Sequence, residues 1–281
     1  MKDSFRDHFN RQNWRCSRNG MRKQLTIIIV MLFSANATFS QALLPSLKKR
    51  VFAPGEELTY KLKYGFISAA EGVLKVLPSD LSFEGKPTYH LNAVGTTSKA
   101  FSIFYNIRDQ YDSYIDQETY LPYFFSENIK EGRYRRNDKI RFYQQKKKIE
   151  ATRGNFDAKE LQTFDLLSAY YFSRTLDLSH IKEGESFKLS YFLKDSLAYL
   201  YITYLGKENI KTALGTLRCL KFSPSLEPGR VFKKDSKLHL WVTDDDNRIP
   251  VKAQVEILIG AVTLELTGVK GLKYPLEKVK K

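Results

Sequence analysis

WVTDDDNRIPVKAQVEILIG, residues 241–260, is an aromatic and a β-branched residue, an acidic turn, and a proline that opens another apolar run. The same phrase stands near the middle of the chain: Tyr114-Ile115-Asp116, then Thr119, then Pro122. Proline fixes its own φ and suits the first residue of a strand. Each phrase therefore marks a strand–turn–strand corner. Each also follows a set of alternating segments, which predicts a mainly β protein built from two similar halves around a shared interior.

Working outward, Leu58 to Tyr64 alternates apolar and polar residues with period two, as a half-buried strand does. Further strands are expected at 66–77, 89–97, 101–115 (bent), 120–129, 132–136, 139–144 and 148–152. The run Lys146-Lys147-Lys148 reads as a solvated hairpin tip. Phe164 to Arg174 breaks the alternation. With Thr163 or Asp165 as a cap, residues 164–176 are predicted as the one main helix. Leu166, Tyr170 and Ser173 would share a face, with Leu167 and Tyr171 beside them. A second meander follows at 187–193, 197–205, 208–212, 216–222, 237–242, 250–257 and 261–266. Gly184-Glu185 opens it much as Gly55-Glu56 opens the first. The expected class is a curved antiparallel sheet, an open barrel or half-barrel.

Met21-Arg22-Lys23, the apolar run Leu25–Phe33 and the small residues Ser34–Ala42 read as an export signal. The apolar run is about half of the roughly 20 residues a spanning helix needs. Cleavage after Ser40 or Ala42 fits the pattern, with Ser40 preferred. The predicted organisation is an N-terminal extension at 1–20 preceding the true start at Met21, a signal peptide at 21–41 and a linker at 42–53. One β-rich domain then spans 54–275, with halves at 54–162 and 177–275. The expected address is the periplasm of a Gram-negative bacterium, outer-membrane association included. No transmembrane span is expected after cleavage. The chain has 46 Lys and Arg against 31 Asp and Glu. Removing a leader through Gln41 leaves 39 and 29, a net charge of about +10 that favours anionic envelope partners. Nucleic acid is disfavoured by the export signal and by the lack of a binding motif.

PGEELTYKLKYGFISAAEG (54–72), DLLSAYYFSR (165–174) and WVTDDDNRIPVKAQVEILIG (241–260) together resemble the domain-of-unknown-function family 3108, exported proteins of Gram-negative bacteria. The resemblance spans nearly the whole mature chain and marks no chemistry. Ala70 stands where the family's glycine is expected. A weaker resemblance is to the Lol-type periplasmic lipoprotein carriers. It implies a half-barrel with helices closing an apolar cavity.

Catalytic signals are absent from the sequence. His90, His180 and His239 lie far apart, with no companion at metal-ligand spacing. Cys219 sits in a strand-like segment and reads as a small core residue. Asp244-Asp245-Asp246 lacks the alternate spacing of a calcium loop and reads as a solvated turn. Asp109, Asp112 and Asp165 are acids of the right type for glycosidic chemistry, with convergence undefined. No catalytic residue, metal or cofactor is assigned, and a non-enzymatic role is expected. The aromatics are the better lead. Phe104, Tyr111, Leu167, Tyr170 and Tyr171 would line an apolar pocket if the helix lay over the concave sheet. The leading expectation is a binding or carrier module for a lipid, lipidated or other hydrophobic ligand. A cavity lined by these rings would mark it. A filled core with exposed aromatic and basic residues on a sheet face would instead mark an interaction module for glycan or an outer-membrane partner.

Overall fold

The structure is a computed structural model describing residues 44, 49–103, 105–225, 237–256 and 260–279. The predicted extension, the signal peptide, most of the linker and Phe104 lie outside the described residues.

The first run of strands comprises β1 (Glu57–Tyr64), β2 (Ile67–Leu77), β3 (Ser82–Phe83), β4 (Lys86–Thr97), β5 (Arg108–Asp116), β6 (Pro122–Glu131) and β7 (Tyr134–Tyr143). Short β8 (Lys148–Ala151), β9 (Gly154–Asp157) and β10 (Thr163–Phe164) precede helix α1 (Leu166–Ser173). The second run is β11 (Ser186–Leu193), β12 (Ser196–Thr212), β13 (Gly215–Pro224), β14 (Leu238–Thr243), β15 (Pro250–Glu256) and β16 (Ala261–Lys270). All belong to one curved, open sheet. Its order is β10-β11-β12-β13-β14-β15-β16-β1-β2-β4-β5-β6-β7-β8-β9, with β3 paired to β4 alone. Every pairing is antiparallel except β10 with β11.

Several expectations are corrected. Residues 101–103 and 105–107 lie outside the named strands, and β5 begins only at Arg108. The segments expected at 132–136 and 139–144 are one strand, β7. Those at 197–205 and 208–212 are also one strand, β12, bent by a register shift between Tyr204 and Lys207. Gly206, at φ +101, supplies the backbone freedom there. The helix is shorter than predicted. Asp165 caps it by accepting from the backbone N–H groups of Leu167 and Ser168, and the Ser168 side chain returns the bond. Its buried face is Leu167, Ser168, Tyr171 and Phe172, whereas Leu166 is exposed.

The two runs open with the same hydrogen bonds. Gly55 N–H donates to Val76 O while Val76 N–H donates to Glu56 O. Gly184 N–H donates to Tyr204 O while Tyr204 N–H donates to Glu185 O. The corners also agree. Register shifts fall between Tyr114 and Ile115 and between Trp241 and Val242, and Ile115 and Val242 then pair with Pro122 and Pro250. Asp116 Oδ1 accepts from the N–H groups of Glu118 and Thr119, and Asp245 Oδ1 from those of Asn247 and Arg248.

Antiparallel order sorts the connections into two ends. One end carries the 65–66, 98–107, 132–133 and 194–195 connections, and we term it the open end. The other, the closed end, carries the two acidic corners and the 144–147 turn. There Arg174, just past the helix, donates to both carboxylate oxygens of Glu56 at 2.5 and 2.9 Å and to Asn247 O. All three residues are buried. The ends of the sheet overlap rather than joining. Phe192 of β11 is buried against Phe125, Ile140, Phe142 and Ile149 of the opposite end, and its ring lies 4.9 Å from that of Phe156.

Candidate functional site

The predicted ring cluster forms only in part. Leu167 and Tyr171 are fully buried in a packed cluster with Phe52, Tyr89, Phe164 and Phe172. Tyr171 meets Phe52 edge-on at 4.9 Å, and Phe164 lies 4.6 Å from Phe172. Tyr170 is partly buried between this cluster and that of Tyr60, its ring edge-on to Tyr171 at 4.9 Å and its hydroxyl 3.1 Å from that of Tyr60. Tyr111 sits at the border of this cluster and the overlap cluster, 6.3 Å from Phe125. The helix region is therefore filled by the rings themselves.

Register identifies a different apolar surface. Residues paired across strands share a face. One row runs Ala70, Leu62, Leu264, Ala253, Leu240, Phe222, Tyr204 across β2, β1, β16, β15, β14, β13 and β12. The next row toward the open end runs Ile67, Tyr64, Val262, Val255, Leu238. Leu240 and Phe222 pack with the helix cluster, so these rows face the interior. The alternate positions carry Lys61, Lys63, Lys252 and Glu265, and Lys63 bridges Glu265 at 2.5 Å on the outer face. Such alternation is what a sheet with one wet and one dry face shows.

Yet much of this inner face stays accessible. Leu62, Ala70, Leu238, Leu240, Ala253, Val255, Val262 and Leu264 are half-buried, and Tyr64 and Ile67 are 38% and 41% exposed. The reason is size. A helix of eight residues is about 12 Å long, while the five strands from β14 to β2 span about 20 Å. Helix α1 packs mainly on β4, β5, β10 and β11. It leaves the β14–β15–β16–β1–β2 wall largely uncovered among the described residues. The sequence showed these side chains as the apolar positions of strands. It gave no means of knowing which stretch of wall the helix would reach.

Polar groups gather elsewhere. Toward the open end, the inner face carries Asp109, Glu127 and Asp138, all buried. Arg136 pairs with Glu127 at 2.6 Å, with Asp195 at 3.1 Å, and with Asp138. Arg153 joins Asp138 at 2.6 Å. Burial and the neighbouring Asp109 raise the carboxyl pKa of Glu131. Burial, then the charges of Asp109, Glu127 and Glu131, raise the Tyr111 hydroxyl. These ion pairs tie the overlapping ends together. Asp112 lies on the opposite face, bonded to His90 at 2.8 Å and to Asn92, and Asp165 caps the helix. The three acids singled out by type thus occupy separate settings. His239 stands beside Trp241 on another strand. Burial pushes the Cys219 thiol up to about 12, consistent with an unreactive core residue. Among the described residues no group of His, Cys, Asp or Glu side chains is arranged to hold a metal ion. A cleft of about 420 Å³ at the closed end is lined by Lys86, Leu121, Tyr123, Tyr143, Gln144 and Lys146 among others.

A large open sheet curled around an apolar inner wall, with one short helix plugging one side, defines a β-barrel-like protein. The chain matches the protein family of unknown function DUF3108 over residues 59–267 and belongs to it. Its fold is similar to that of a β-barrel-like protein of the domain of unknown function DUF1849 from Brucella abortus, at TM-score 0.52 and 9% identity. That match covers 79% of this chain and 100% of the other. Looser similarity extends to a candidate exported protein with a YmcC-like fold from Bacteroides fragilis, at TM-score 0.38 and 11% identity, over 81% of this chain and 100% of the other. A candidate lipoprotein from Parabacteroides distasonis gives TM-score 0.35 and 9% identity, over 78% and 98%. No curated protein matches the chain. No helix among the described residues is long and apolar enough to cross a membrane, which leaves strand-based spanning unaddressed.

Proposed function

We propose that this protein is an exported, non-enzymatic binding or carrier module for a hydrophobic ligand with an acyl-like chain. The chain lies on the β14–β15–β16–β1–β2 wall. The export signal at 21–41 supports the compartment. The observation that carries the reading is the pair of half-exposed apolar rows on the concave face. A folded chain leaves such a contiguous apolar surface accessible at a cost of about 25 cal/mol per Å², and large exposed patches mark binding sites. The rings around Tyr171 pack against one another, and the half-exposed wall is what supports the reading. The driving force is transfer of the chain from water, about 0.8 kcal/mol per methylene. That corresponds to roughly fourfold in Kd for each added carbon.

The test begins with organic extraction of the purified mature chain and mass spectrometry of the extract. A fluorescent acyl probe is then titrated against the delipidated protein and its Leu62→Glu and Leu264→Glu variants. A co-purifying lipid is expected, with probe affinity at least tenfold weaker in both variants and unchanged circular dichroism. A clean extract with no probe binding would overturn the reading. A second reading, recognition of an envelope glycan at the closed-end cleft, is favoured by the rings, amides and lysines that line it.

A further inference from the structure

The connections of the open end carry the most exposed large apolar side chains among the described residues. Phe66 at the β1–β2 turn is 96% exposed and Ile103 in the 98–107 loop is 84% exposed, with Tyr105 at 46%. The next most exposed large apolar residue is Leu81, at 51%. The two tips are neighbours. Ser98 N–H donates to Ala69 O and the Ser98 hydroxyl to Ser68 O, which seats the loop beside the start of β2.

The loop is also built to hold its shape. Phe101 and Ser102 donate to Ser98 O, Tyr105 donates to Phe101 O, and Gly132 donates to Asn106 O. A bonded turn that presents Ile103 to solvent leaves an apolar group in water that a surface polar residue would replace without loss.

Among the described residues the exposed charge at this end is mostly positive. Lys99, Arg108, Lys130, Arg133, Arg135 and Lys194 are exposed around the tips. The acids nearby are engaged: Asp109 accepts from Lys130 N–H, Asp195 pairs with Arg136 and Arg153, and Glu131 is held with Asp109. Glu256, at the end of β15, is the exposed exception.

We infer that the open end docks on an anionic lipid bilayer, with Phe66 and Ile103 inserted among the headgroups and the basic residues lying on the charged surface. Apolar tips within a basic ring are the two signals that interfacial binding combines. The same end is the mouth of the apolar wall, since Tyr64 and Ile67 of its outermost row flank Phe66. Docking rests on different side chains from ligand binding and is measured on lipid-stripped protein, so either reading can fail alone.

The experiment is co-sedimentation with vesicles of phosphatidylcholine containing about one-third phosphatidylglycerol, against vesicles of phosphatidylcholine alone. Expected is binding to the anionic vesicles that weakens as salt is raised. It should fall at least tenfold in a Phe66→Ser/Ile103→Ser double variant and in a Lys130→Glu/Arg133→Glu variant. A closed-end charge reversal, Lys211→Glu, should bind as the unmodified chain does. Because Phe66 and Ile103 touch little, their replacement leaves the fold intact, which circular dichroism checks. Absence of binding to anionic vesicles, or equal binding by the double variant, would overturn the inference. So would apolar tips that prove to mediate self-association, seen as a dimer that the double variant dissolves, without vesicle binding.

Discussion

Asp165 is the residue whose chemistry differs most from its appearance in the sequence. It is fully buried, accepts from two backbone N–H groups and from Ser113 Oγ at 2.7 Å, and so ties the helix start to β5. Burial outweighs these bonds and raises its pKa from 3.8 to about 6. A carboxyl whose folded pKa exceeds its unfolded value stabilises the fold fully below the unfolded value. That contribution is lost as pH rises through the folded value. The domain should therefore lose up to about 3 kcal/mol from this group between pH 4 and 6 and nothing further above. Asparagine keeps the capping oxygen and removes the titration. Denaturant unfolding of Asp165→Asn and the unmodified chain should show a stability difference that changes over that window and is flat above it. Tyr171, whose buried hydroxyl has no hydrogen-bond partner among the described residues, is a second position where burial prevails over polarity.

At the scale of elements, the two acidic corners turn their strands by the same device. Asp116 is buried, accepts from two N–H groups of its turn and from Tyr123 Oη at 2.9 Å, and ends β5. Tyr120, at φ +60, and Arg248, at φ +50, take left-handed backbone two residues before each proline. Replacing Asp116 with alanine leaves the buried Tyr123 hydroxyl and two turn N–H groups without their acceptor and should cost about 1–3 kcal/mol, read as a lower denaturation midpoint with unchanged slope. The corners were legible from the spacing of Asp and Pro. The length of the helix was less so, because Thr175 and Leu176 continue its apolar character while their backbone leaves the helix. The bend inside β12 was missed, and the bend expected within 101–115 falls before a strand that begins only at Arg108. One glycine, Gly206, permits a bulge within a continuous ladder.

At the scale of the whole molecule, the overlap of the sheet ends holds the curl. Phe192 is 1% exposed and joins residues from β6, β7 and β8 to β11. Phe192→Ala should cost about 3–5 kcal/mol. Because the seam closes the entire sheet, unfolding should remain a single transition rather than release one half first. Coincidence of circular dichroism and intrinsic fluorescence curves checks this.

The sequence by itself determined the strand-rich class, the paired corners, the place of the helix after Asp165 and the family to which the chain belongs. These follow from local period, turn chemistry and composition, which act over a few residues. It named Leu167, Tyr170 and Tyr171 by their apolar density and could not say that Phe52, Tyr89 and Phe164 would fill the space beside them. Only the tertiary structure decided that Leu62, Val262 and Leu264 form an accessible wall and that Phe66 and Ile103 stand at its mouth. Which face a short helix covers depends on contacts between residues more than a hundred positions apart, such as Arg174 with Glu56. Local pattern carries no record of those distances. It fixes which side chains are apolar, and the packing of the whole chain fixes which of them stay uncovered.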